Sequence, residues 1–423
     1  MKKVILSLAA LSLILGATSC KNKNNDDDTV VTPTPTGPEE ITGDISADRT
    51  LSADKKYLLK GFVYVKSGVT LTIPAGTVIM GDKATKGTLV VTRGGKINAT
   101  GTADKPVIFT SGLPAGARRE GDWGGVIILG KAPVNATGGE AKIEGGLVAT
   151  SGGDEKAYIY YGGTDAADNS GTLKYVRIEF AGIAYSPDNE INGLTMGGVG
   201  NGTTISYVQV YRSGDDGFEW FGGTVNCDHL VSTYSWDDDF DTDNGYSGNV
   251  QYGLIQRYKT IADQSGSNAF ESDNDANGST NSPKTSAKFA NVTVLGPVLT
   301  TGTSGIDASY QNAAQIRRNS SISIYNSILA GFPIGLYIDD TKGSKTIENV
   351  KANTLMFKGN IIAGCTTKWK GESAATADSA AWTSFKSASG TTELASAADV
   401  LLEKKNPDRK STRLNSSHAN VSR

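Results

Sequence analysis

From residue 57 to about residue 340 the chain alternates apolar and polar positions in short runs broken by Gly and Asn, and helix-period amphipathicity is almost absent. The runs recur. Leu71, Ile73, Gly76 and Ile79 return 18 residues later as Leu89, Val91, Gly94 and Ile97. Tyr175-Val176-Arg177-Ile178 returns as Tyr207-Val208-Gln209-Val210. Asp215-Asp216-Gly217-Phe218-Glu219 returns after 22 residues as Asp237-Asp238-Asp239-Phe240-Asp241, and Gly222-Gly223 maps onto Asn244-Gly245. Similar strands follow at Asn291–Val294 and Asn326–Leu329. A repeat of about 20 residues that carries several strands and no helix predicts one coil of a parallel β-helix. A propeller blade needs about 40 residues, and the Leu consensus of a leucine-rich repeat is missing. The longer step from Phe240 to Phe270 predicts a loop inserted between stacked strands.

The alternation also assigns faces. With Phe218, Phe240 and Phe270 inward on successive coils, Glu219, Asp241 and Glu271 point outward in register. The same count puts Ile316 inward and Arg317 outward, so the expected column is Glu219, Asp241, Glu271, Arg317. The next outward column is Phe221, Asp243, Asp273, Asn319. Strands stack about 4.8 Å apart, where two carboxylates repel by roughly 1 kcal/mol in water and roughly 3–4 kcal/mol at an effective dielectric of 20. Such a column needs full solvation, raised pKa values, Arg317 or a bound cation. Ca²⁺ takes six to eight oxygens, and Asp215, Asp216, Asp237, Asp238 and Asp239 in the adjoining turns extend the candidate set. The plain alternative is that Asp, Asn and Gly suit tight turns. Asp239 to Asp243 lacks the rest of an EF-hand: Asn244 and Val250 stand where Gly and Glu are needed.

Composition narrows the chemistry. The 51 Gly, 4 Met and 12 Pro among 423 residues argue against a helical bundle, and a formal charge of −3 argues against a nucleic-acid surface. Three Cys with no paired spacing predict no disulfide framework, and two His exclude a His-rich metal site. A nucleophilic Cys227–His229 pair lacks an orienting third group. Trp123 and Trp236 are candidate sugar-stacking residues, whereas parity places Trp220 inward with Phe218.

Both ends are expected to lie outside the fold. Lys2 and Lys3 precede an apolar run, Val4 to Ala17, that is too short to span a bilayer and suits a secretory signal. Ala17, Thr18, Ser19 and Cys20 resemble a bacterial lipobox, which implies a signal peptide over 1–19 and a lipidated Cys20. Residues 20–40 form a polar tether with Asp26-Asp27-Asp28, resembling a surface-export signal, and a Thr-Pro spacer at 32–36. Two or more acyl chains on Cys20 suffice for stable anchoring. Asp408 to His418 reads as a translated short-read sequencing adapter, so residues 408–423 are expected to be foreign. Setting aside Lys2, Lys3 and the charged residues of 408–423 moves the net charge from −3 to −8. Residues 371–407, rich in Ala and Ser, are expected to form a loop or partial C-terminal cap.

Four strings carry a resemblance: Gly121–Asn135 with its Gly121-Asp122-Trp123-Gly124-Gly125 start, Lys174–Ile183, Asn189–Thr195 and Gly214–Gly223. Over residues 41–370 the chain resembles a family of Bacteroidota surface or secreted lipoproteins. The resemblance implies an all-β, right-handed parallel β-helix of pectate-lyase-like architecture, displayed at the outer membrane. Some members carry an automatic multidrug-transporter label, but no apolar run after the signal could span a membrane. The reading favoured is a rigid surface scaffold for glycan binding, adhesion or partner contact, without catalysis. A Ca²⁺-dependent polysaccharide lyase or glycoside hydrolase is the alternative, because Gly214-Asp215-Asp216-Gly217 echoes the paired Asp of pectin hydrolases. Their Gly-His-Gly and Arg-Ile-Lys motifs are missing. A purely structural envelope protein is the third reading.

Overall fold

The computed structural model describes residues 37–400, apart from residues 151, 187–188, 300–301 and 373–378. The expected signal over 1–19, Cys20, most of the expected tether and residues 408–423 lie outside the described residues. The rest is a right-handed parallel β-helix: 28 strands form one sheet wound round an axis, with every pairing inside it parallel. Among the described residues no helix is long and apolar enough to cross a membrane.

Each coil has three faces. One coil runs through Val231–Thr233 on the first face, Phe240–Asp243 on the second and Asn249–Gln251 on the third. Third and first faces join without a loop. Strand Cys227–Thr233 pairs with Asn249–Gln251 on one side of a corner and with Leu254–Gln256 on the other, bending at His229. That corner residue sits in the left-handed region on coil after coil: Tyr175, Tyr207, His229, Tyr252, Asn291 and Asn326 have φ between 47° and 62°. Bulky side chains pay for this conformation, and stacking offsets part of the cost. Tyr175, Tyr207 and His229 lie ring on ring at 4.5 and 4.1 Å.

The interior follows from period-two alternation. Leu194, Phe218, Phe240 and Phe270 stack in register on the second face, all fully buried, with Phe rings 5.6 Å apart and edge to face. Tyr175–Ile178 and Tyr207–Val210 are likewise stacked partners. The 18-residue recurrence near the start has a different meaning from the one the sequence suggested. Leu71 lies on Ile97, and Leu89 lies between Val63 and Val126, so the two matching segments are neighbouring faces and not stacked coils. Every strand-turn-strand unit needs the same apolar-Gly-apolar pattern, whichever face it occupies.

Strands continue beyond residue 370. A helix, Ala380–Ala388, begins at Ser379, whose hydroxyl accepts the Trp382 amide at 3.1 Å. Trp382 is buried and meets Trp369 edge to face, covering the last coil. The chain then adds Thr392–Leu394 as a further strand on Ile361–Ala363. Cys227 and Cys365 are free and buried, and burial pushes the Cys227 thiol up to about 12. A thiol reagent should therefore label neither in the folded protein and both after denaturation; rapid native labelling would mean that the coils open locally.

Candidate functional site

The second face carries the acidic residues. Glu219, Asp241 and Glu271 are direct partners on consecutive coils, continuing from Thr195 below and into Gln315 above. Arg317 does not follow Glu271 in the column: Ala314 takes the place of Phe270 and Ile316 that of Ser272, which shifts the register by two. Its guanidinium still returns to the acids, pairing with Glu271 and, at 2.9 Å, with Asp273. Arg318 also binds Asp273, at 2.6 Å. Lys284 reaches Asn319 instead.

The turn before each of these strands holds a residue two positions ahead of the inward apolar side chain: Asn192, Asp216, Asp238, Asn268 and Asn312. Their side chains form a ladder. Asp216 accepts the Asp238 amide at 2.8 Å, Asp238 accepts that of Asn268 at 2.5 Å, and Asn268 accepts that of Asn312 at 3.1 Å. The tightness is enforced by Gly217, where a Cβ would meet the Ser232 hydroxyl at 2.5 Å. At the ends of the ladder the asparagines also donate sideways: Asn192 to Glu219, Asn268 to Glu271 at 3.2 Å, and Asn312 to Gln315 at 3.1 Å. In their ionised form Asp216 and Asp238 cannot donate. On the two central coils carboxyl therefore faces carboxyl, and among the described residues no hydrogen bond or ion pair reaches the Asp241 side chain.

Three groups result: Asp215, Asp216 and Asp237; Asp216, Glu219 and Asp241; Asp238, Asp241 and Glu271. Within each, one oxygen per residue lies within 4.8 Å of the others. Asp216 links the first two groups and Asp241 the last two. Burial first, then neighbouring carboxylates, raises Asp215, Asp216, Asp238, Asp241 and Glu219 well above the usual range. Burial pushes Glu271 up to about 8, against the pull of Arg317, and Asp243 up to about 7. Asp237 rises to about 6, with Ser265 donating to it.

Several candidates stand outside these groups: Asp243 and Asp273 belong to none of the three, and Asp273 is taken up by Arg317 and Arg318. Asp239 points inward and is held by Ser232 at 2.5 Å and by Arg257 at 3.1 Å, with both ionic side chains fully buried. Arg257 also donates to the carbonyls of Asp237 and Trp236, so it fixes the turn from behind. Trp123 is fully buried against Phe109 and donates to the Glu179 carbonyl at 2.8 Å, so it offers no surface for stacking. Trp236 is 44% exposed and precedes Asp237 on the rim. Phe221 is covered, packed with Tyr161 and Ile191 under the insertion of residues 130–170.

That insertion supplies a residue which alternation does not reveal. Glu144 reaches Glu219, and the two carboxyls form a hydrogen-bonded pair beside Asn192, which requires a proton between them. Asn192, Asn268 and Arg257 were also missed. The asparagines had a signal, since an Asx stands two residues ahead of each inward position. Arg257 and Glu144 had none.

Fold and site together define a β-helix protein with a row of clustered carboxylates along one face. The profile of the family described as "Pectate-lyase like beta helix domain" matches residues 43–400, and the chain belongs to that family. No curated protein sequence matches it. Among solved structures it is similar to the Agl-KA catalytic domain, at 12% identity and TM-score 0.30 over 85% of this chain and 59% of that one. It is also similar to a family 28 exopolygalacturonase of Yersinia enterocolitica, at 12% identity and TM-score 0.19 over 85% of this chain and 78% of that one. Likeness at this level bears on neither substrate nor reaction.

Proposed function

We propose that the protein is a surface lipoprotein, anchored through Cys20, whose β-helix presents a Ca²⁺-dependent glycan-binding groove on its second face. The observation that carries the groove is the exchange of Asn for Asp at the two central steps of the ladder. Asparagine satisfies Glu219 and Glu271 at the flanking steps; Asp216 and Asp238 give up that donor and leave Asp241 without one. A cation restores the balance. Oxygens within 4.8 Å of one another fit round Ca²⁺, whose Ca–O distances of about 2.4 Å place opposite ligands about 4.8 Å apart. An all-oxygen set suits Ca²⁺ or Mg²⁺ better than zinc. A bound ion would hold Asp216, Glu219 and Asp241 in their charged form and present open coordination positions to sugar hydroxyls or carboxylates, with Trp236 on the rim to stack on a ring.

The test is a glycan array read with calcium and with chelator. Binding that needs calcium supports the groove; binding indifferent to chelator rejects it. Trp236→Ala should weaken the captured glycan about five- to tenfold, the equivalent of one aromatic contact of about 1–1.5 kcal/mol, without changing the melting temperature. Unchanged affinity would remove Trp236 from the binding surface.

One feature supports a hydrolytic reading as well. The Glu144–Glu219 pair holds a proton where a general acid would need one, with Asp241 beside it as a base. Release of new reducing ends from a bound glycan, abolished by Glu219→Gln, would establish that reading in place of simple binding.

A further inference from the structure

A second site lies on the corner between the first and second faces, two to four residues before the acidic turn. Residues 112–121 fold against this corner, pressed so closely that a Cβ on Gly214 would come within 2.7 Å of the Gly121 nitrogen. Between loop and corner opens a cleft of about 460 Å³, lined by Arg118, Arg119, Arg212, Phe180 and Tyr211 together with Ala115 and Gly116. That volume falls within the range of about 300–1,000 Å³ usual for small-ligand sites.

Its lining carries three arginines and no carboxylate. Arg118 spends its Nε on the Leu113 carbonyl at 2.9 Å and one Nη on the Thr110 hydroxyl at 3.2 Å. Arg119 spends one Nη on the carbonyls of Gly116 and Arg118, at 3.1 and 2.6 Å. Among the described residues no carboxylate pairs with either side chain, which leaves two guanidinium charges uncompensated and N–H groups unspent. Arg212 pairs with Glu120, donates to the Tyr211 hydroxyl at 3.1 Å, and lies 5.7 and 5.8 Å from the rings of Tyr211 and Tyr234. Glu179 is taken up by Arg177 and Thr110. Arg118 and Arg212 are thus held before any ligand arrives, while Arg119, exposed, is tethered through one Nη. Guanidinium forks presented in this way suit an oxyanion. Phe180 and Tyr211, 5.5 Å apart and edge to face, add an apolar wall. The exposed Trp236 continues the same corner, since its amide donates to the Ser213 carbonyl at 3.0 Å.

We propose that this cleft binds an anion-bearing sugar residue, its carboxylate or sulfate between Arg118 and Arg119 and its ring against Phe180 and Tyr211. The inference does not depend on calcium in the acidic groove. Calorimetric titration of the full chain in chelator should use galactose, galacturonate, galactose 6-sulfate and inorganic sulfate. Both charged sugars should bind about tenfold or more tightly than galactose, and more tightly than sulfate alone, with the preferred one identifying the anion. Arg119→Gln should lower that affinity about tenfold while leaving the melting temperature and any calcium response unchanged. Equal affinity for charged and neutral sugars would overturn the proposal. So would no binding at millimolar concentration, sugars no tighter than sulfate, binding that needs calcium, or an Arg119→Gln variant that binds as the parent does.

Discussion

Calcium at millimolar concentration should raise the melting temperature of the metal-free protein, and Asp241→Asn should abolish most of the rise. For one site that binds only the folded state, a concentration 100 times the dissociation constant adds about 2.7 kcal/mol. Asp241 is the residue to change because it belongs to two of the three carboxylate groups and no donor reaches it. Asparagine keeps its volume, removes one charge from between Glu219 and Glu271, and adds an amide that can donate to either. In chelator the variant should therefore melt at the same temperature as the parent or higher. The pH dependence has a definite sign. These carboxyls hold a proton more tightly folded than unfolded, so without metal they destabilise the fold at high pH. Stability should rise as pH falls through about 8 and 7, where Glu271 and Asp243 titrate, and level off near pH 4 as the unfolded chain also protonates. At the three carboxylate groups, which include Glu271 but not Asp243, protons and calcium compete for the same oxygens, so the calcium increment should be larger at pH 8 than at pH 5. Identical melting with chelator and with calcium at pH 8 would reject the groove as a cation site.

Arg257→Met is expected to cost about 3–5 kcal/mol, the penalty for stranding one partner of a buried ion pair. Asp239 and Arg257 are both fully buried, and removing the guanidinium leaves Asp239 with only the Ser232 hydroxyl. Burial already pushes Asp239 up to about 6 despite Arg257, so the variant should keep Asp239 protonated at neutral pH. The loss extends to the groove, because Arg257 also ties down the carbonyls of Trp236 and Asp237. The double change Arg257→Met with Asp239→Asn should recover part of the stability, since Asn has no charge to neutralise on burial, whereas Asp239 must take up a proton. Circular-dichroism melts of the three variants measure this. A single variant within about 1 kcal/mol of the parent would show that the turn does not need the pair.

The register of Glu219, Asp241 and Glu271 was legible because alternation has a period of two and a parallel coil repeats it without slippage. Phe218, Phe240 and Phe270 marked the inward position on each coil, so the outward neighbour followed. The count failed at Arg317, where the inward Phe is replaced by Ala314. With no large side chain to mark the position, Ile316 was matched to Phe270 when it lies on Ser272. Trp123 failed differently. A tryptophan flanked by glycines gives no sign of its face, and its burial on Phe109 is decided by a first-face strand elsewhere in the coil.

The sequence by itself determined the solenoid, because strand, turn and inward apolar position are all local patterns that stacking merely repeats. It also determined that carboxylates would crowd one face. Whether they stand apart in solvated turns or pack against one another was decided only by the tertiary structure. That decision rests on contacts between chain segments far apart: Asn192, Asn268 and Asn312 donating beside Asp216 and Asp238, which cannot when ionised, the insertion bringing Glu144 to Glu219, and Arg257 pairing with Asp239 from a later strand. Burial and the count of hydrogen-bond donors around a carboxyl are properties of the assembled coil, and no alternation of residues along one strand encodes them.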